Sequence, residues 1–95
     1  MNIVKKRLNC LSNHIKKNSK AEKHLHILTE TSNRVPILKF NSFNICYFGR
    51  AERFYLFVGP ERTLLGDWTG DNNCLIPIFE KLCLLYPESC SKSLA

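Results

Sequence analysis

The chain is sparing with the residues that loosen a fold. Four glycines and four prolines stand against ten aromatics in 95 residues, which excludes a low-complexity linker and leaves little chain for long loops. Long apolar runs are missing. The densest, Leu75–Phe79 and Leu82–Tyr86, are short and are separated by Glu80-Lys81, far below the roughly 20 residues that span a bilayer. The leading residues lack the apolar run and small-residue cleavage site of a secretory signal. There is no Asn-x-Ser/Thr sequon among nine asparagines, and no CxxC among five cysteines. Nucleophile elbow, phosphate-cradling glycine loop and HExxH are all absent from the string, so no familiar catalytic device is on view. These absences point to an intracellular, reducing compartment, cytoplasm or nucleus, with Cys46, Cys74 and Cys83 read as free thiols among apolar neighbours. Residues 1–21 also contain no acid. A helical, acid-free, cationic start can serve as a mitochondrial presequence, although lysine outnumbers arginine here.

What is present is enough for one small core. Hydrophobic residues make up 44% of the chain and charged residues 23%, the balance of a folded domain rather than a disordered tail. The net charge is +6, and it is not spread evenly. Residues 1–39 hold nine Lys/Arg and two acids, a balance of +7; residues 40–95 hold five bases and six acids, a balance of −1. A half-chain so charged attracts polyanions, although a lysine-rich helix also serves as a solvated face that keeps a small protein soluble.

Val4, Leu8, Leu11 and Ile15 recur at helical steps, and most of the lysines fall off that stripe, so 2–17 reads as an amphipathic basic helix. Ser19 with Glu22 has the form of a capping box for a second helix over 20–30, with Ala21, Leu25 and Leu28 inward. Pro36 then turns the chain toward extended geometry. Strand signals follow at 37–40, 43–48, 53–58 and 63–68, punctuated by Gly49-Arg50-Ala51-Glu52 and Gly59-Pro60-Glu61. Asn73 is placed to cap a last helix, 74–86, with Pro77 near its first turn and Pro87 at its end. The fold class is α+β: helix or helices, a three-stranded antiparallel meander, and a C-terminal helix (α-β-β-β-α). The organisation is a basic helix or arm over 1–18, one domain over 19–87, and a polar tail over 88–95.

Over residues 20–86 this order resembles the double-stranded-RNA-binding domain. The likeness lies in the helix 20–30, the extended Pro36-Ile37-Leu38, the turn at Gly59-Pro60, and Leu65-Gly66-Asp67-Trp68-Thr69-Gly70, which is similar to that family's glycine-rich exit from its third strand. The resemblance implies an RNA-binding fold. At the start of the last helix, where the family carries a lysine cluster on phosphates, this chain has Asp71-Asn72-Asn73. Family members with that loss serve as protein-interaction or dimerisation modules.

Phosphate contact is therefore assigned to the N-terminal cations Lys5, Lys6, Arg7, Lys16, Lys17, Lys20 and Lys23, with Arg50 from the inter-strand turn. A partner or a second copy is assigned to the apolar last helix through Leu75, Ile76, Phe79, Leu82 and Tyr86. The aromatics Phe40, Phe43, Tyr47, Phe48, Phe54, Tyr55 and Phe57 can pack a core or, if exposed, stack bases. Alternation along 53–58 makes both sheet faces apolar. Cys10 and His14, four apart, share a helix face and supply only half a zinc site, so no metal or other cofactor is expected. The leading reading is a non-catalytic RNA-binding or ribonucleoprotein-assembly module. The alternatives are a protein-interaction or dimerisation adaptor, such as a small viral or host accessory protein, and, more remotely, a small nuclease or toxin using His14, His24 or His26.

Overall fold

The computed structural model describes residues 3–18, 26–28, 36–39 and 43–86, with backbone alone at 26–28. The expected capping box at Ser19 and Glu22 and the polar tail 88–95 lie outside the described residues. The amphipathic stripe of the leading segment forms helix α1, Ile3–Asn18, and its apolar positions Leu8, Leu11 and Ile15 are wholly buried with Ser12 among them. The helix closes where the Asn18 side-chain amide donates back to the His14 carbonyl at 2.8 Å. Because those apolar side chains belong to the same core as the strands, α1 is docked on the domain and is not an extended arm.

Five strands follow: β1 (His26–Leu28), β2 (Ile37–Lys39), β3 (Asn44–Phe48), β4 (Arg53–Val58) and β5 (Glu61–Asp67). They form one antiparallel meander in the order β1-β2-β3-β4-β5. A short 3₁₀ turn, Asn72–Cys74, leads into the closing helix α2, Leu75–Leu85. The class is α+β as expected, with more strands than the three foreseen. One of the two added strands replaces part of the helix expected over 20–30: residues 26–28 are a strand, in register with β2 through Ile27 opposite Leu38. Three apolar residues in eight positions are a weak helical signal, and ladder hydrogen bonds to a neighbouring strand override it. With a strand in that place, the order over 26–86 does not begin with the helix on which the resemblance rests.

Turn chemistry sets the register. Val58 pairs with Glu61, so Gly59-Pro60 alone closes the β4–β5 hairpin. Gly59 takes φ +57, which suits the first central position of a two-residue hairpin turn. The last strand therefore starts two residues earlier than its apolar run suggests. Between Phe54/Tyr55 and β5 the register shifts, leaving Leu65 as an extra residue on β5. The bulge turns Leu65 into the core, at 4% exposure, while Gly66 faces Phe54.

Both helices cover one face of the sheet, α1 over β2 and β3 and α2 over β5. Leu38, Ile45, Tyr47, Phe54 and Leu56 meet Leu8, Leu11, Ile15, Leu75, Ile78 and Leu82 in a single core. Asp71, not Asn73, does the capping, and it caps the 3₁₀ turn: its carboxylate accepts from the Asn73 N–H at 2.8 Å, while α2 itself starts from Cys74 with no side-chain cap. Cys10, Cys46 and Cys74 are free thiols, whereas Cys83 is disulfide-bonded. That bond corrects the free-thiol reading of Cys83. Among the described residues, no helix is long and apolar enough to cross a membrane.

Candidate nucleic-acid interface

Docking of α1 by one stripe leaves its opposite side in solvent. Lys5, Lys6, Lys16 and Lys17 are all exposed there, with Asn9 and Asn13 exposed between the two lysine pairs. The pairs are eleven positions apart, about 16 Å along the axis. The helix carries no acid, and the two ends are not equivalent. Lys16 and Lys17 sit in the last turn, where the helix dipole favours cations; Lys5 and Lys6 sit in the first turn, where it disfavours them. A sequence tuned for helix stability places acids at that end.

The β3–β4 turn comes up against the same end of α1. A methyl group on Gly49 would lie 3.8 Å from Val4 and 4.0 Å from Ile3. Exposed Arg50 follows in that turn. Arg7 does something else. Its guanidinium lies 4.1 Å from the centroid of Trp68, and its Nε is buried without a hydrogen-bond partner among the described residues. Trp68 is itself fixed by donation from its backbone N–H to the Glu52 carbonyl at 2.7 Å. Arg7 thus joins α1 to the end of β5 and is not part of the solvent-facing row. Lys20 and Lys23 lie outside the described residues.

The residues assigned to a partner on α2 divide. Leu75 and Leu82 are core residues at 1% and 0% exposure, so neither can meet a partner. The helical periodicity that brings them together is the periodicity of the buried face. Phe79 is half-buried and edge-on to His14, with ring centroids 5.4 Å apart, and Tyr86 packs on Phe43 at 4.6 Å. Ile76 is exposed as expected. Leu84 and Leu85, which periodicity does not single out, join it, with Leu84 83% exposed.

The aromatic set divides as well. Phe43, Tyr47 and Phe54 are in the core. Phe48, Tyr55 and Phe57 lie on the face of the sheet away from the helices, with Phe48 exposed and the other two half-buried. Phe40 lies outside the described residues.

A cleft of about 260 Å³ separates α1 from the start of α2, lined by Cys10, Asn13, His14, Lys17, Asn72 and Leu75. Burial, reinforced by the neighbouring Lys17 charge, lowers the His14 pKa below its ordinary value of 6.5, so the imidazole is neutral near pH 7. The described residues hold no group of three or more His, Cys, Asp or Glu side chains suited to a metal. The chain matches no family model, no curated protein and no solved structure.

Proposed function

We propose that this protein is a non-catalytic RNA-binding module of the kind that assembles ribonucleoproteins, with the outer face of α1 contacting phosphates through Lys5, Lys6, Lys16 and Lys17 and Arg50 adding a contact from the neighbouring turn. The observation that carries this reading is the pair Lys5-Lys6 in the first turn of an acid-free helix. A solvated face has no reason to put cations at the positive end of the dipole, whereas a phosphate-binding one does. Backbone contacts of this sort supply affinity without reading sequence, which fits a scaffold role.

The test is binding of a blunt RNA duplex, followed by anisotropy as salt is raised, for the wild type and for a variant with Lys5, Lys6, Lys16 and Lys17 all changed to Gln. Removing one lysine–phosphate pair lowers the log–log salt slope by about 0.7–0.9, so the slope falls by about 3 while the circular dichroism spectrum is unchanged. An unaltered slope, or no wild-type affinity at low salt, rejects the reading.

The exposure of Ile76, Leu84 and Leu85 on α2 favours a second reading, a protein-interaction adaptor in which the charge serves solubility alone. Charge removal on α1 then leaves function intact, while Leu84→Lys abolishes it.

A further inference from the structure

The face of the sheet turned away from α1 and α2, which no other described helix covers, carries a constellation of its own. Phe48 lies 4.9 Å from Tyr55 and 6.2 Å from Phe57, ring centroid to ring centroid, the second pair nearly parallel at 19°. The Arg62 guanidinium sits 5.0 Å from the Tyr55 ring. Lys39 is exposed at the β2 side of the same face. Among the described residues of this face the acid is Asp67, and Arg53 already engages it at 3.0 Å. Three rings held partly in water and flanked by two cations do not suit a second copy of this chain: a two-fold contact sets like patches, and so like charges, against each other. They suit a ligand that is both planar and anionic.

We propose that this face binds single-stranded RNA, stacking unpaired bases on Phe48, Tyr55 and Phe57, with Arg62 and Lys39 neutralising the flanking phosphates. Stacking on sheet aromatics tolerates any base, because every base offers a π-face, so the site selects for unpaired over duplex RNA and not for sequence. RNA is the ligand here as on α1, and to that extent this site rests on the reading above, but it occupies the opposite side of the molecule.

The experiment compares a fluorescein-labelled oligouridylate with a blunt RNA duplex, using the full chain and the double variant Phe48→Leu, Phe57→Leu. Leucine keeps the apolar bulk that a protein interface needs and removes the ring that stacking needs. The expected result is oligouridylate affinity reduced about tenfold or more, with duplex affinity and melting temperature unchanged. The four-lysine variant of α1 is expected to lose duplex binding and to keep most oligouridylate binding, so failure of either surface shows separately. A second readout needs no substitution. Cys46, a free thiol opposite Tyr55 in the β3–β4 register, is shielded from alkylation by saturating oligouridylate, while Cys10 on α1 is not. Unchanged oligouridylate affinity in the leucine variant, an unshielded Cys46, or a wild-type dimer that Phe48→Glu dissociates each overturns the proposal.

Discussion

A methyl group added to Gly66 tests the contact that seats α2 on the sheet. An ideal Cβ there lies 2.6 Å from Cγ1 of Ile78 and 3.4 Å from its Cδ1, against the 3.5–4.0 Å at which carbon atoms are comfortable. About 1 Å of overlap must be relieved. Ile78 is 1% exposed and inside the core, so it cannot swing into solvent; either it leaves its rotamer or α2 lifts off β5. Over-packing of this kind costs about 1–3 kcal/mol, partly offset by the 0.5–1 kcal/mol that alanine gains over glycine within a strand. The expected net loss for Gly66→Ala is about 0–2.5 kcal/mol, or up to roughly 20 °C in Tm for a domain of this size. Ile78→Ala alone costs about 2–5 kcal/mol. In that background the methyl added at Gly66 enters vacated space, and the second change becomes neutral or stabilising. Urea unfolding followed by Trp68, the lone tryptophan, measures all four corners of the cycle. A stabilising Gly66→Ala in the wild type refutes the close approach, and a penalty that persists in the Ile78→Ala background assigns the clash to something other than Ile78.

Two further substitutions probe α1. His14 has a folded pKa below 6.5, so above that value the group is neutral in native and unfolded chains alike and adds no pH dependence. As pH falls through 6.5, the unfolded chain takes up a proton that the native one refuses, and stability drops until the folded pKa is passed; urea midpoints between about pH 7 and pH 5 should therefore fall less steeply in His14→Gln than in the wild type. Arg7→Met keeps the stem over Trp68 and removes the cation, so it should lower stability by about 0.5–2 kcal/mol and leave the salt slope for duplex RNA untouched; a slope lowered by about one would return Arg7 to the phosphate-binding row.

The parts of the fold legible in the sequence are those in which local signal and tertiary environment agree. Val4, Leu8, Leu11 and Ile15 announce α1 because the same stripe that makes it amphipathic is the stripe it buries. Gly59-Pro60 announces a hairpin because few other pairs accept that geometry. The segment at 26–28 is not legible: its strand state depends on hydrogen bonds to residues 37–39, nine to thirteen positions on, and no local pattern reports a partner. The same limit governs the candidate sites. Periodicity finds apolar residues on one side of a helix without saying whether that side faces core or solvent. It therefore groups Leu75 and Leu82 with Ile76, although only the last is exposed. Arg7 carries no sign of its contact with Trp68, which lies sixty-one positions away and is brought near by the sheet.

Alternation along β4 makes one deduction available only once the helices are placed. Phe54 and Leu56 point one way, Tyr55 and Phe57 the other, and a chain with helices on both sides would bury both sets. Here α1 and α2 share a side because α2 returns from β5 to pack beside α1. The described residues contain no third helix to cover Tyr55 and Phe57. The exposed lysines of α1 and the sheet aromatics are then separated by the thickness of one helix and one sheet, about 20 Å. A short oligonucleotide cannot touch both. If both surfaces act, one copy of this protein holds two RNA segments, a paired one against α1 and an unpaired one against the sheet. Joining paired to unpaired segments is the task of an assembly factor and not of a sequence reader.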